Sequence, residues 1–186
     1  MMVVFAGLPG TGKSTLAAEV ARRVDGIVLN KDTVRGALFP EPYTEYSTLQ
    51  DDFTLFLMLQ AAGYLFERHP ALPILIDGRT FSQRYQLSIA VEGAKRMNQA
   101  WYVIECVCRE ETARRRLEAD AARGTHPAKN RNYDLYAQVK AQFEPIPEPK
   151  LVVDTEGAVE ACAEAAVGFL LGAGGATMGE PAEGQR

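Results

Sequence analysis

The sequence predicts an α/β fold in which a parallel sheet is covered by helices on both faces. Two observations point there. Short apolar runs rich in β-branched and aromatic residues alternate along the chain with longer stretches of helical spacing. The first such run, "MVVFA", passes through a run holding three glycines directly into a helical pattern, so the glycines join a strand to a helix. At 186 residues the chain has the length of one domain, and a hydrophobic content of 47% is enough for a sizeable core.

The expected strands are 3–6, 26–30, 73–77, 102–107 and 151–153. Between them, 13–24 is the first helix, with Leu16, Val20 and Val24 on one face. A short helix starts at Asp32 and is stopped by Pro40 and Pro42 in "FPEPY". A long one follows over 48–68. It is nearly apolar all round after Phe53, which reads as core; the other reading has Tyr43, Tyr46 or Phe53 lining a pocket. Helices 83–97, 110–122, 133–143 and 159–171 complete the pattern. The loop "ARGTHPAKNRN" is polar, with Gly124 and Pro127 as breakers, and reads as a mobile element between two helices. A main unit over 1–172 is expected, with a lid at about 112–132. The Gly- and Ala-rich stretch 173–186 reads as a disordered tail.

The net charge of −4 and pI of about 5.3 show no basic face in bulk, which argues against long nucleic acid as a partner. No window holds the roughly 20 apolar residues of a membrane span. The apolar N-terminal run has no basic segment before it, so it does not read as a signal peptide. Cys106, Cys108 and Cys162 lack zinc spacing and read as reduced thiols in or near the core of a cytoplasmic protein, a monomer or homodimer.

Gly7-Leu8-Pro9-Gly10-Thr11-Gly12-Lys13-Ser14 satisfies G-x-x-x-x-G-K-[ST] at every fixed position, and Thr15 follows it. A loop that wraps a phosphate points backbone N–H groups inward, and the helix behind it presents its positive end to the anion. Lys13 adds a charge on the β- and γ-phosphates, and the Ser14 hydroxyl is placed for Mg²⁺. The expected ligand is therefore ATP with Mg²⁺.

Asp77 ends the third strand in "PILIDGRT", where a carboxylate can hold the metal shell directly or through water, or can cap the next helix. Asp32 and Arg35, in "VLNKDTVRGALF", are one helical turn apart and can face one point. There Asp32 can orient an acceptor hydroxyl and take its proton, and Arg35 can meet an anionic group of the acceptor. The alternative is a helix-capping aspartate with a surface ion pair. Arg79, two residues past Asp77, is placed with them as an acceptor contact. In the locally basic stretch "CREETARRRLEADAARGTHPAKNR", Arg116 and Arg123 lie two helical turns apart on one face. From a closing lid they could stabilise charge on transferring phosphate oxygens; otherwise the stretch is a solvated helix face. His69 and His126 have no partner spacing and carry no chemistry in this reading.

On "GLPGTGKST", "NKDTVRGAL", "ILIDGRTFSQR" and "YAQVKAQFEPIPEPKLVVDT", the chain resembles the P-loop kinases of the nucleoside-kinase-like group over residues 2–171. Within that group it is similar to the family labelled AAA-type ATP-binding or zeta-toxin-like, which includes 5′-hydroxyl polynucleotide kinases. The resemblance implies a three-layer sandwich with sheet order 2-3-1-4-5 and a small helical lid bearing arginines. It also implies Lys13 and Ser14 on phosphate and metal, Asp32 as acceptor-side base and Arg35 as acceptor-side contact. Adenylylsulfate kinases carry a similar aspartate followed by "VR", but their later phenylalanine and arginine-rich segments are not found here. Many relatives repeat arginine four places after "RL"; this chain has Asp120 there, and Arg123 is the substitute.

The leading functional expectation is an ATP-dependent kinase that phosphorylates a hydroxyl of a small acceptor, with an anionic acceptor as one option. A polynucleotide 5′-kinase is the alternative within the same chemistry, and a nucleotide-dependent regulatory ATPase the alternative outside it. An acceptor pocket beside Asp32 would favour the first.

Overall fold

The computed structural model describes residues 1–123 and 132–172. Its sheet is entirely parallel, with strands β1 (Met2–Ala6), β2 (Ile27–Asn30), β3 (Ile74–Asp77), β4 (Trp101–Val107) and β5 (Leu151–Asp154) in the order β2-β3-β1-β4-β5. The helices are α1 (Lys13–Arg23), α2 (Lys31–Leu38), α3 (Thr48–Arg68), α4 (Arg84–Arg96), α5 (Glu110–Arg123), α6 (Tyr133–Ala141) and α7 (Val159–Gly172). The fold class and strand order are those expected, and the element ends differ from the sequence expectation by one or two residues.

Side chains alternate across a strand, so a strand covered on both sides is apolar throughout. β1 lies at the centre of the sheet and all five of its residues are fully buried. Met2, Val4 and Ala6 face the layer built from α3 and α4, where Leu55, Met58, Phe66, Leu87 and Ala90 pack. Val3 and Phe5 face the other layer, with Leu16 and Val20 of α1 and Ala163 and Ala166 of α7. Fully burying a Val, Phe or Met side chain contributes about 1.5–3 kcal/mol, so β1 anchors both layers at once. A small third cluster, Ala113, Leu117 and Tyr136, ties α5 to α6, with Leu8 of the glycine-rich loop packed against it.

One expectation changes. α3 is not buried all round: Leu49, Phe53, Phe56 and Tyr64 are exposed, because the helix covers one sheet face and has no second layer outside it. Cys108 lies just past the end of β4 against the α5–α6 cluster, whereas Cys106 lies in the sheet–α1–α7 core. The loop 124–131, most of the expected lid loop, and the expected tail 173–186 lie outside the described residues. No described helix is long and apolar enough to cross a membrane.

Candidate active site

Every element that forms the site ends at the carboxyl edge of the sheet, where ligands of such folds bind. β1 runs out at Ala6 into the loop 7–12, and α1 begins at Lys13 with Gly12 as its N-cap in the left-handed region, φ 79°. No side chain caps α1, so its first N–H groups are open to an anion. Gly7 has φ 131°, and a Cβ there would stand 2.3 Å from the Cys106 carbonyl oxygen; no other residue fits. Thr11 holds the loop by donating its hydroxyl to the Leu8 carbonyl at 2.8 Å. Lys13 Nζ folds back and donates to the carbonyls of Gly7 (2.9 Å) and Leu8 (2.7 Å), while Ser14 and Thr15 are exposed at the helix start. Within the loop, Pro9 and Gly10 are buried.

Asn30 and Asp77 are paired neighbours at the ends of β2 and β3. Asn30 uses both ends of its amide. Its Oδ1 caps α2 by accepting from the N–H groups of Asp32 (3.0 Å) and Thr33 (3.1 Å), and its Nδ2 donates to Asp77 Oδ2 at 2.7 Å. Neither aspartate is therefore a helix cap: α2 is capped by Asn30 and α4 by Gln83. Asp77 is 1% exposed, and its Oδ1 has no hydrogen-bond partner. A buried carboxylate oxygen left so is costly unless a cation or water meets it.

A cavity of about 140 Å³ opens beside the loop, lined by Pro9, Lys13 and Ser14 on one side and by Lys31, Asp32, Arg35, Asp51 and Arg79 on the other. Tyr46, Leu135 and Val139 complete its walls. Asp32 and Arg35 do meet there, at 2.7 Å between Asp32 Oδ1 and Arg35 Nη2. They are not a surface pair, since Arg35 is 3% exposed. Asp51, in the first turn of α3, accepts at its Oδ1 from Arg35 Nη1 at 2.7 Å, and Lys31 Nζ forms ion pairs with that oxygen at 2.7 Å and with Asp32 Oδ1 at 3.3 Å. The Tyr46 ring lies under the Arg35 guanidinium at 4.6 Å. Arg79, 4% exposed, pairs through Nη2 with Asp52 at 2.6 Å; its Nη1 has no partner.

A second cavity, of about 400 Å³, lies on the far side of the loop against Gly12, Ser14, Thr15, Arg116, Thr155 and Val159. Arg116 is anchored: Nη1 donates to Thr155 Oγ1 at 3.0 Å and Nη2 to the Thr155 carbonyl at 2.7 Å. The Thr155 hydroxyl in turn donates to the Thr11 carbonyl at 2.8 Å, so α5, the loop and the β5–α7 turn are tied together. Arg123, at the last turn of α5, is exposed and does not line either cavity. Arg114 pairs with Glu118 and lies over Tyr133, away from the site. Beneath the loop, burial pushes the Cys106 thiol up to about 12.

The sequence reading missed Lys31, Asp51 and Asp52 because their signal is tertiary: an exposed-looking lysine and the acidic first turn of a helix become site residues only when α3 packs on α2. Asn30 could have been found, since asparagine two residues before Asp32 is an N-cap signal.

No curated protein sequence matches the chain. Among solved structures, it is similar to the Mycobacterium tuberculosis APS kinase CysC in complex with AMPPNP and APS. That match has 17% identity, covers 91% of this chain and 96% of that one, and has a TM-score of 0.68. A sugar kinase from Janibacter sp. HTCC2649 matches at 17% identity, 91% and 93% coverage and TM-score 0.62. A gluconokinase from Sinorhizobium meliloti 1021 matches at 14% identity, 91% coverage of each chain and TM-score 0.62. At these identities the likeness establishes the fold, which is that of P-loop kinases. The AAA domain family matches residues 2–146, the stretch that carries the phosphate-loop motif, Asp32, Asp77 and the anchored Arg116, and the chain belongs to that family.

Proposed function

We propose that this protein is an ATP-dependent kinase that transfers the γ-phosphoryl group to a hydroxyl of a small acceptor. The observation that carries this is the single cavity in which Lys13 and Ser14 of the phosphate loop face Asp32 and Arg35 of α2. A regulatory ATPase needs a positioned water, not a walled pocket beside the transferring phosphate. The small-molecule kinases among the structural neighbours support the same reading, and so does the cavity volume of about 140 Å³, which suits a small acceptor better than a polynucleotide end.

In this reading the triphosphate lies along the loop 7–12. Lys13 exchanges its two carbonyl partners for β- and γ-phosphate oxygens, and the open N–H groups of α1 cradle the chain of phosphates. Ser14 and Asp77 hold Mg²⁺. Such a site takes one or two carboxylates, and the unpartnered Asp77 Oδ1 fits that need. When bound, Mg²⁺ neutralises charge developing on the phosphate oxygens. Arg116, fixed by Thr155, braces the loop from the nucleotide side. Arg123 would act on phosphate oxygens only from a closed lid.

On the acceptor side Asp32 Oδ1 is held by Arg35 and Lys31, which leaves Oδ2 for the acceptor hydroxyl. The acceptor oxygen forms the new O–P bond, the γ-phosphorus bond to the β–γ bridging oxygen breaks, and the hydroxyl proton passes to Asp32 Oδ2. Because the transition state is loose, orientation by Asp32 matters as much as proton removal. The test is a screen of small-molecule pools for Mg²⁺-dependent ATP-to-ADP turnover that disappears in Asp32→Asn. ADP release at the same rate with and without every acceptor, and unaffected by Asp32→Asn, would refute the kinase assignment.

A further inference from the structure

We infer that the acceptor is an uncharged, polyhydroxylated molecule, and that Asp51 is the residue that selects against an anionic one. The inference rests on the kinase reading and sharpens it. Arg35 by itself would invite an anionic group, and the sequence alone suggests that. The folded site does not leave it by itself.

On the acceptor side of the cavity three cations meet three carboxylates. Both terminal nitrogens of Arg35 are engaged, Nη1 by Asp51 and Nη2 by Asp32, and one face of its guanidinium is covered by Tyr46. A planar fork recognises a carboxylate or phosphate through parallel N–H groups, and each terminal nitrogen of Arg35 already gives one N–H to a carboxylate of the site. Lys31 Nζ lies between Asp32 and Asp51. Arg79 is neutralised by Asp52 at 2.6 Å. Lys13 and Asp77 add one charge of each sign on the phosphate side. Among the described residues that line the cavity no net positive charge is left for an anionic acceptor, and an anion entering beside Lys31 would face the carboxylates of Asp32 and Asp51.

What the cavity does offer is a mixture of donors and acceptors set side by side. Lys31 has three donor hydrogens for its two carboxylate neighbours, and Arg79 Nη1 has no partner. Asp32 and Asp51 each bond their cations through Oδ1. An anion presents acceptors alone. A hydroxyl both donates and accepts, so neighbouring hydroxyls match ion pairs that neutralise each other. Tyr46, Leu135 and Val139 supply apolar wall for the C–H faces of such a molecule.

The experiment compares kcat/KM for matched pairs that differ in one charge: xylitol with xylonate, glucitol with gluconate, and a methyl glucoside with its uronate. The expected result is a preference of about tenfold or more for the neutral member of at least one pair. Asp51→Asn keeps an oxygen toward Lys31 and Arg35 but removes the charge. It should narrow that preference by about tenfold, read as a fall in the KM of the anionic member relative to the neutral one. A wild-type preference for the anionic members, with transfer still dependent on Asp32, overturns the inference and leaves the kinase reading standing. An unchanged ratio in folded Asp51→Asn overturns the role of Asp51. Phosphorylation of no compound in any of the three pairs overturns the substrate class. Should Asp51→Asn fail to fold, the wild-type ratio decides alone.

Discussion

Asp32→Asn is the substitution on which the chemistry turns. The amide keeps the shape and an oxygen that can accept from Arg35 Nη2, now 2.7 Å away, but it cannot take a proton. Removing one partner of a buried ion pair costs about 3–5 kcal/mol when the other charge is left alone. Here Arg35 and Lys31 both keep Asp51 at 2.7 Å, so the loss should be nearer about 1–2 kcal/mol, a fall in Tm of about 2–8 °C for a chain of this size. The rate should suffer far more. A positioned general base contributes about 10²–10⁴-fold. In a loose transition state the acceptor proton leaves late, so a loss of about 10²–10³ in kcat is expected, equivalent to about 2.7–4 kcal/mol. Asp32 lies across the cavity from the loop, so the affinity for a non-hydrolysable ATP analogue should not change. Acceptor-dependent ADP release and calorimetric titration of the analogue separate the two effects. A kcat within about threefold of the unsubstituted protein would refute the reasoning, because it lies far below the contribution of a general base.

Lys13→Ala should lower turnover by about 10²-fold or more, as removal of one group stabilising charge in a transition state does; near-normal turnover with an intact fold would remove the phosphate-loop assignment. Asn30→Ala strips the cap from α2 and leaves both oxygens of buried Asp77 without a protein partner. A loss of about 2–4 kcal/mol is expected, the sum of a cap and an unsatisfied buried group, read by denaturant unfolding together with a changed Mg²⁺ dependence of nucleotide binding. A loss no larger than that of a surface substitution, about 0.5 kcal/mol, would contradict this. Cys106 gives a pH signature. Burial holds its thiol protonated to about 12, whereas the unfolded chain ionises it from about 9. The unfolded state therefore binds fewer protons in that window, and stability should fall by about 1.4 kcal/mol per pH unit as pH rises above 9. Stability curves of Cys106→Ala should lack that slope.

The sequence by itself determined the layers and the phosphate-binding end of the site. Short apolar runs that alternate with helical stretches mark parallel strands covered on both faces, and the loop 7–14 declares its chemistry locally. Gly7 and Gly12 are needed where the backbone takes positive φ, and Lys13 and Ser14 follow at fixed offsets along one continuous stretch. The pairing of Asp32 with Arg35 was legible for the same reason, since one helical turn separates them. What only the tertiary structure decided is the charge balance around Asp32 and Arg35. Asp51 lies 16 residues from Arg35, and Asp52 lies 27 residues from Arg79. Neither separation follows a helical or strand period, so nothing in the sequence announces that the carboxylates of α3 will neutralise the cations of α2 and of the turn after β3. Arg116 shows the same limit. Its spacing places it on a helix face, but its partner Thr155 is 39 residues on, and only the packing of α5 beside the β5–α7 turn brings the two together. Local chemistry is written in adjacent residues; the charge balance of a cavity belongs to whichever elements the core brings together.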